Sequence, residues 1–428
     1  MAIMRPAVSE PGELADLAWH QPTLVQMCQL LWPPPTELTV GRAVAGHVPA
    51  DDTIPDGPEQ REDTEFILIP GLRRPPLLVP AGQRVAGAAV RHYSAQRAPA
   101  ARLATKLFSA CLNSGLGGAM FRHRLTMRVP AGADTVETYL ADLLHRDIRV
   151  SMYLGPPRAN RKPVLHILTP AGQPVAFAKI GVTALTRQLT QTERNALTQI
   201  REKGLPGITV PEVLHYGSWQ GLDILVLSAL PAWQRRQALS GPQLVEAMTT
   251  VTAVDGLHSG PLRSSEYSAR LRKRLRSAGE SPDQATLLWL VDELNARGGD
   301  LNLTFGAWHG DWTPWNMAST ADGILVWDWE RFTHGVPLGF DALHYRLQAE
   351  VGPGHREPTA AASACAQEAP ALLAPFGVSA REAHVTALLY LADLATRYLS
   401  DRQAEAGARL GAPGSWLIPA LKREIIRL

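Results

Sequence analysis

Three cysteines in 428 residues, Cys28, Cys111 and Cys365, stand far apart and make no C-x-x-C spacing. So few, and odd in number, they build neither a disulfide framework nor a zinc site, and a reducing cytoplasm is the expected compartment. Charge of one sign is short as well: 42 basic against 40 acidic residues leave a net of +2. That balance gives no bulk attraction to nucleic acid or to an anionic membrane, and neither is expected as a partner. Long apolar runs are missing too, since no stretch reaches the ~18 consecutive apolar residues of an ordinary transmembrane helix. The opening Met1-Ala2-Ile3-Met4-Arg5-Pro6 lacks the basic region and apolar core of a secretory signal. No internal repeat is visible.

Hydrophobic residues at 45% and charged residues at 19% fit a globular chain with a large core, long enough for two or three domains. One local excess of charge, Arg270-Leu271-Arg272-Lys273-Arg274-Leu275-Arg276, reads as the solvated face of a helix. Four regions are expected. Residues 1–60, with Pro33-Pro34-Pro35 and further prolines at 49, 55 and 58, read as an N-terminal tail or linker that also contains a short amphipathic segment near Leu24. Residues 61–147 read as a small accessory α/β domain. It has strands at Phe66–Pro70, Pro76–Pro80 and Phe121–Val129, and helices near Arg84–Tyr93 and Pro99–Asn113. Residues 148–231 read as five closely spaced strands with one helix after the third. Residues 232–428 read as mostly helical, interrupted near 308–330 by a loop and a strand-turn-strand.

Two features of the third region belong together. On the strand Val175–Ile180, Val175, Phe177 and Lys179 share a face, so Lys179 either snorkels to solvent or points into a cleft towards an anion. On the next helix Glu193 falls on the apolar stripe of Leu189, Ala196, Leu197 and Ile200. A carboxylate buried there needs a cation, and Lys179 is the economical one. Where the last strand leaves at Ser228-Ala229-Leu230-Pro231, backbone groups at Ser228 and Leu230 can meet the edge of an adenine.

The chemistry concentrates in Trp308-His309-Gly310-Asp311-Trp312-Thr313-Pro314-Trp315-Asn316 and Val326-Trp327-Asp328-Trp329-Glu330. In His-x-Asp-x-x-x-x-Asn the Asp can orient an attacking hydroxyl and accept its proton, while the Asn and a later Asp bind a metal. The Asp322-Gly323 turn would fold Asp328 back beside Asn316, giving two oxygen ligands that suit Mg²⁺. Taken singly, Asp311 reads as a turn residue after Gly310, Asn316 as a backbone cap and Asp328 as a surface turn. In this order, behind Lys179 and Glu193, they read as a phosphoryl-transfer site. His309 reads as a loop brace. Trp312, Trp315, Trp327 and Trp329 read either as core or as part of an acceptor pocket.

His309-Gly310-Asp311, Asn316 and Asp328-Trp329-Glu330 together resemble the aminoglycoside phosphotransferase and choline kinase branch of the protein-kinase-like superfamily, over about residues 148–428. The resemblance implies a two-lobed α+β fold, with a small antiparallel-sheet lobe and a largely helical lobe, here preceded by the accessory domain. It implies Asp311 as the catalytic residue, and Asn316 and Asp328 as Mg²⁺ ligands. Lys179 would contact the α- and β-phosphates of ATP or another nucleoside triphosphate, oriented by Glu193, and Asp341 in Phe340-Asp341-Ala342-Leu343 would brace the loop. No G-x-G-x-x-G separates the first two strands. Arg158, Asn160, Arg161 and Lys162 stand there instead, either as phosphate donors or, as the better reading, in a solvated hairpin. The expected activity is ATP- and Mg²⁺-dependent phosphorylation of a hydroxyl on a small molecule. The alternatives are phosphorylation of Ser/Thr on a biosynthetic peptide and an inactive nucleotide-binding scaffold. Glu330 and Asp341 are offset by Arg331 and His334. That mixture points away from a polycationic aminoglycoside, to a sugar, nucleoside or other metabolite.

Overall fold

The computed structural model of the chain describes residues 21–42, 61–71, 74–94, 109–110, 112, 123–232, 234, 236–351 and 356–428. The helix expected over 99–113 lies almost wholly outside these residues, as do 1–20 and 43–60 of the expected tail. The described residues form two compact units. One draws on Met1–Val90, Lys106–Leu154 and Pro163–Pro174, the other on Arg91–Thr105, Gly155–Lys162 and Val175–Leu428.

The first unit begins inside the stretch read as tail. Helix α1 (Gln21–Leu31) buries Leu24, Met27, Cys28 and Leu31, the stripe a 3.6-residue period gives. Strands β1 (Glu37–Arg42), β2 (Arg61–Gly71) and β3 (Arg74–Pro80) follow, then helix α2 (Gln83–Ser94) and β4 (His123–Pro130). Helix α3 (Val136–Leu144) has no counterpart in the sequence reading. Its capping box is Thr135 with Thr138 at the third position, where the usual signature has Glu or Gln. With β5 (Arg149–Leu154) and β6 (Pro163–Leu168) the strands run in the order β1-β4-β2-β3-β5-β6. These neighbours all pair antiparallel. Val85, Ala86, Ala89 and Val90 of α2 pack with Ile67, Val79 and Leu168.

The second unit carries the candidate chemistry. Strand β7 (Pro174–Gly181) leads into α4 (Ala184–Lys203), opened by a Thr183 capping box. A two-residue strand β8 (Ile208–Thr209), then β9 (Val213–Trp219) and β10 (Leu222–Ser228), complete the sheet portion in the order β7-β10-β9. The rest is mostly helix: α5 (Gly241–Thr252), α6 (Glu266–Arg276) and α7 (Pro282–Gly298), with a short strand β11 (His258–Pro261) between the first two. Strand β12 (Asn302–Trp308), the hairpin β13 (Met317–Thr320) and β14 (Gly323–Val326), and β15 (Thr333–Pro337) interrupt them. Helices α8 (Phe340–Glu350), α9 (Pro358–Leu373), α10 (Ala380–Ser400) and α11 (Leu417–Ile425) close the chain. Strands β11, β12 and β15 have no counterpart in the sequence reading, and the three form a sheet of their own.

Helix α10 is the axis of the helical portion. It is buried almost all round from Ala383 to Arg397, as a helix apolar on every side must be. Tyr390 on α10, Phe340 on α8, Tyr267 on α6 and Trp308 on β12 meet edge to face. The basic run lies on α6, whose Leu271 and Leu275 are buried. It is less solvated than expected, since Arg270 donates to the carbonyls of His334 and Gly335 and Arg274 pairs with buried Asp393. The described residues thus have the expected α+β plan, an antiparallel sheet portion followed by a largely helical one.

Candidate active site

The carboxylate of Glu193 is fully buried on α4. From β7 the Lys179 Nζ reaches both its oxygens at 2.7 Å and donates at 2.6 Å to Asp328 Oδ1. The Trp329 N–H adds a bond of 3.2 Å to Glu193 Oε1. Asp328 itself has φ +73°, a left-handed backbone that Asp tolerates better than most residues. Burial opposes the charge on Lys179, but the carboxylates of Asp328, Glu193 and Glu330 outweigh it and hold the ammonium well above its ordinary value. Burial would raise Asp328 too, and Lys179 and Lys162 bring it well below the usual carboxylate range. Glu193 is raised, by burial first, against the pull of Lys179.

A second ion pair adjoins the first. Lys162 bonds Glu330, both nearly enclosed, and Asn160 Nδ2 donates to Glu330 Oε1 at 3.1 Å. The solvated-hairpin reading is corrected for these two residues, which turn onto Glu330 because a carboxylate 4% exposed needs donors. Glu193, Asp328 and Glu330 each present an oxygen within 4.8 Å of the others. Three carboxylates against two lysines leave one negative charge over.

The loop after β12 is fixed by its backbone. The N–H groups of His309 and Gly310 donate to the two oxygens of Asp341 at 2.8 and 3.1 Å, and Arg397 donates to the Gly310 carbonyl at 2.8 Å. Gly310 is at φ +82°, and a Cβ there would stand 2.3 Å from the Arg331 carbonyl oxygen, so no other residue fits. The His309 ring is a brace: Nδ1 accepts from the Asp311 N–H at 3.1 Å, and Nε2 bonds the Trp327 carbonyl at 3.1 Å. Burial lowers it to about 4, so the ring is neutral with its proton on Nε2.

Asp311 receives two donors. Asn316 Nδ2 reaches its Oδ2 at 3.0 Å and its carbonyl at 2.9 Å, while His344 Nε2 lies 3.0 Å from Oδ1. Burial raises the Asp311 carboxyl, and the His344 bond with the further pulls of His344 and His309 together outweigh it, leaving it below its ordinary value. The Trp327 N–H donates to the Asn316 carbonyl at 3.1 Å, one step beyond the Met317–Val326 pair of the β13–β14 hairpin. That register sets Trp327, the neighbour of Asp328, opposite Asn316, with the turn at Ala321-Asp322 and Gly323 already in the strand. With Nδ2 committed to Asp311, Asn316 keeps Oδ1 as its acceptor.

The structure therefore brings Lys179, Glu193 and Asp328 into one bonded group and Asp311 and Asn316 into another. Ser228 is engaged elsewhere, its N–H donating to the Glu212 carbonyl at 2.9 Å and its hydroxyl accepting the Glu212 N–H at 2.8 Å. Leu230 packs with Ala232, Ala318 and Leu325, with Trp327 half-buried against them. Trp312 and Trp329 are core, whereas Trp315 is 41% exposed. His344, Tyr390 and Arg397 were not singled out from the sequence. His344 had a faint signal, three residues after Asp341 on one helix and so on the same face. Tyr390 and Arg397 had none, since α10 shows no polar face. A cavity of about 320 Å³ opens at Pro314 and Met317, lined also by Arg236, Gln237, Ser319 and Tyr345.

The candidate residues thus fall into a charged group around Lys179 and a second group around Asp311, on an α+β fold. The family model described as "Phosphotransferase enzyme family" matches residues 163–364, a stretch holding Lys179, Glu193, Asp311, Asn316 and Asp328. Similar solved structures include the choline kinase LicA from Streptococcus pneumoniae, at 15% identity and TM-score 0.47, covering 68% of this chain and 98% of that one. A thermostable mutant of aminoglycoside phosphotransferase APH(4)-Ia, with ADP and hygromycin B, has 14% identity and TM-score 0.46 over 68% of this chain and 98% of that one. The gentamicin complex of APH(2")-IIa has 12% identity and TM-score 0.40 over 70% and 97%. A comparison with curated proteins finds no match. Among the described residues no helix is long and apolar enough to cross a membrane.

Proposed function

We propose that the chain is an ATP- and Mg²⁺-dependent O-phosphotransferase acting on a hydroxyl of a small molecule such as a sugar, a nucleoside or another metabolite. The observation that carries this reading is Lys179 Nζ bonded at once to Glu193 and Asp328, in the same compact unit as Asp311 and Asn316. A buried ammonium on a strand, held between carboxylates from a helix and a loop, is a positioned point charge, which suits the α- and β-phosphates of a nucleotide. Asn316 Oδ1 and the Asp328 carboxylate are hard oxygen donors, and the surplus negative charge beside them fits a divalent cation such as Mg²⁺. When bound, that ion neutralises charge on the transferring phosphoryl group.

In the proposed reaction the acceptor oxygen bonds to the γ-phosphorus, and the bond from that phosphorus to the bridging oxygen breaks. ADP leaves with the electron pair, and Asp311 takes the hydroxyl proton. Held below its ordinary value, Asp311 is ionised and ready to orient the hydroxyl. Leu230, in its apolar group with Ala232, Ala318 and Leu325, suits an adenine face, with Ser228 two residues before it on the chain. A cavity of about 320 Å³ beside Pro314 is of small-molecule size. Arg236 in its lining disfavours a polycation. The test is transfer of ³²P from γ-labelled ATP to a panel of hydroxylated metabolites, with and without Mg²⁺. Labelled product that vanishes in Asp328→Ala supports the reading. Nucleotide binding without transfer to any acceptor or to water would favour the inactive scaffold.

A further inference from the structure

His344 lies on α8, 2% exposed, with its ring between two partners: Nε2 is 3.0 Å from Asp311 Oδ1 and Nδ1 is 3.0 Å from the Tyr390 hydroxyl. The rings of Trp308 and Tyr390 meet it edge-on at 6.3 and 6.0 Å between centroids, which leaves it little room to turn. An ionised carboxylate only accepts, so the proton must be on Nε2. A neutral imidazole with its proton on Nε2 must accept at Nδ1, and the Tyr390 O–H is the donor there. For a neutral ring, only this assignment of protons satisfies the whole chain of bonds.

We propose that His344 is a positioning residue for Asp311, its ring held at Nδ1 by the Tyr390 hydroxyl so that Nε2–H donates permanently to Asp311 Oδ1. The proposal rests on the reading of Asp311 as the catalytic base. With Asn316 on Oδ2 and His344 on Oδ1, the carboxylate plane is fixed at both ends. A carboxylate has about four acceptor positions, so two remain for an incoming hydroxyl. His344 does not itself take that proton, because Nε2 already carries one and Nδ1 is engaged by Tyr390. The charged and titratable groups facing His344 are Asp311, Arg397, His309 and the Tyr390 hydroxyl. Burial and Arg397 keep the ring neutral against the pull of Asp311. A histidine serving only as packing would tolerate either tautomer and would not need the Tyr390 hydroxyl.

The test is spectroscopic first. Long-range ¹H–¹⁵N spectra of the full chain with ¹⁵N-labelled histidine, assigned through His344→Gln, are expected to show His344 as the neutral Nε2–H form at pH 7. In Tyr390→Phe, which keeps the ring and its packing, the proton should stay on Nε2 while the Nδ1 resonance shifts as its bond from the hydroxyl is lost. A wild-type Nδ1–H form, an imidazolium, or an unchanged spectrum in Tyr390→Phe would overturn the proposal. Steady-state turnover of MgATP, with water as the acceptor, is the second arm. His344→Leu and Tyr390→Phe should each lower kcat by about fivefold, the worth of one ordinary hydrogen bond, with KM for MgATP unchanged. His344→Gln should recover much of the loss, since its amide can donate to Oδ1. Equal losses in the Gln and Leu variants, or a rise in KM without a fall in kcat, would contradict it. Wild-type turnover by Asp311→Asn with the expected spectra would instead remove the catalytic reading, leaving only the hydrogen bond. Loss of turnover in Asp311→Asn with unexpected spectra would remove His344 alone.

Discussion

The two carboxylates at the centre of this site are held by opposite means. Asp328 sits in a network of full charges, with Lys179, Glu193, Lys162 and Glu330. Asp311 is held by groups that are neutral: the Asn316 amide, the His344 imidazole and, behind it, the Tyr390 hydroxyl. The charged side is costly to break, because removing one member strands another in the interior. The neutral side sets direction more than energy, since each bond is worth about 1 kcal/mol net. A site that must receive a polyanion and a metal on one side and orient a hydroxyl on the other has use for both.

This contrast can be broken at its strongest point by Lys179→Met. Glu193 and Asp328 then lose their shared buried cation, and we expect about 3–5 kcal/mol of destabilisation in chemical unfolding of the second unit, together with loss of nucleotide affinity. Glu193→Gln should cost less, because Lys179 keeps Asp328. If the two variants unfold alike at wild-type denaturant concentrations, the charged side is not the stabilising half. A pH effect comes next in size. The His309 ring is lowered to about 4 by burial, against roughly 6.5 in an unfolded chain. The stability it contributes is complete above pH 6.5 and is lost as pH falls through 4, up to about 3 kcal/mol. Melting temperatures of the wild type and His309→Asn should converge over that window. Parallel curves would show that the brace does not carry the linkage. The smallest effect is expected at Trp315→Ala: exposed at 41%, it should change stability by less than about 0.5 kcal/mol. The same change at buried Trp312 should cost about 3–5 kcal/mol.

The charged half was the legible one. Glu193 announced itself as a carboxylate on the apolar stripe of a strongly periodic helix, and a buried charge needs a partner, which the preceding strand supplied. Asp311, Asn316 and Asp328 were legible because a short loop and a tight hairpin bring them together within eighteen residues of chain. The neutral half comes from far along the chain: Tyr390 lies 46 residues from His344 on a helix with no polar face to read. Lys162 and Asn160 were misread for a related reason. Their partner Glu330 is 168 and 170 residues away, and nothing in a hairpin's local pattern reveals a distant carboxylate. Strands β12 and β15 were missed because their stability comes from pairing with each other and from burial, not from strict alternation. The burial pattern of β12 ends in four consecutive buried residues.

The most direct measurement is ³¹P NMR of the full chain with MgATP and the metabolite panel, comparing the wild type with Asp311→Asn. The expected result is a phosphomonoester resonance growing as ADP forms in the wild type. It should be slowed by about 10²–10⁴-fold in the variant, with nucleotide affinity and melting temperature preserved. A variant that forms the phosphomonoester at the wild-type rate would contradict the account.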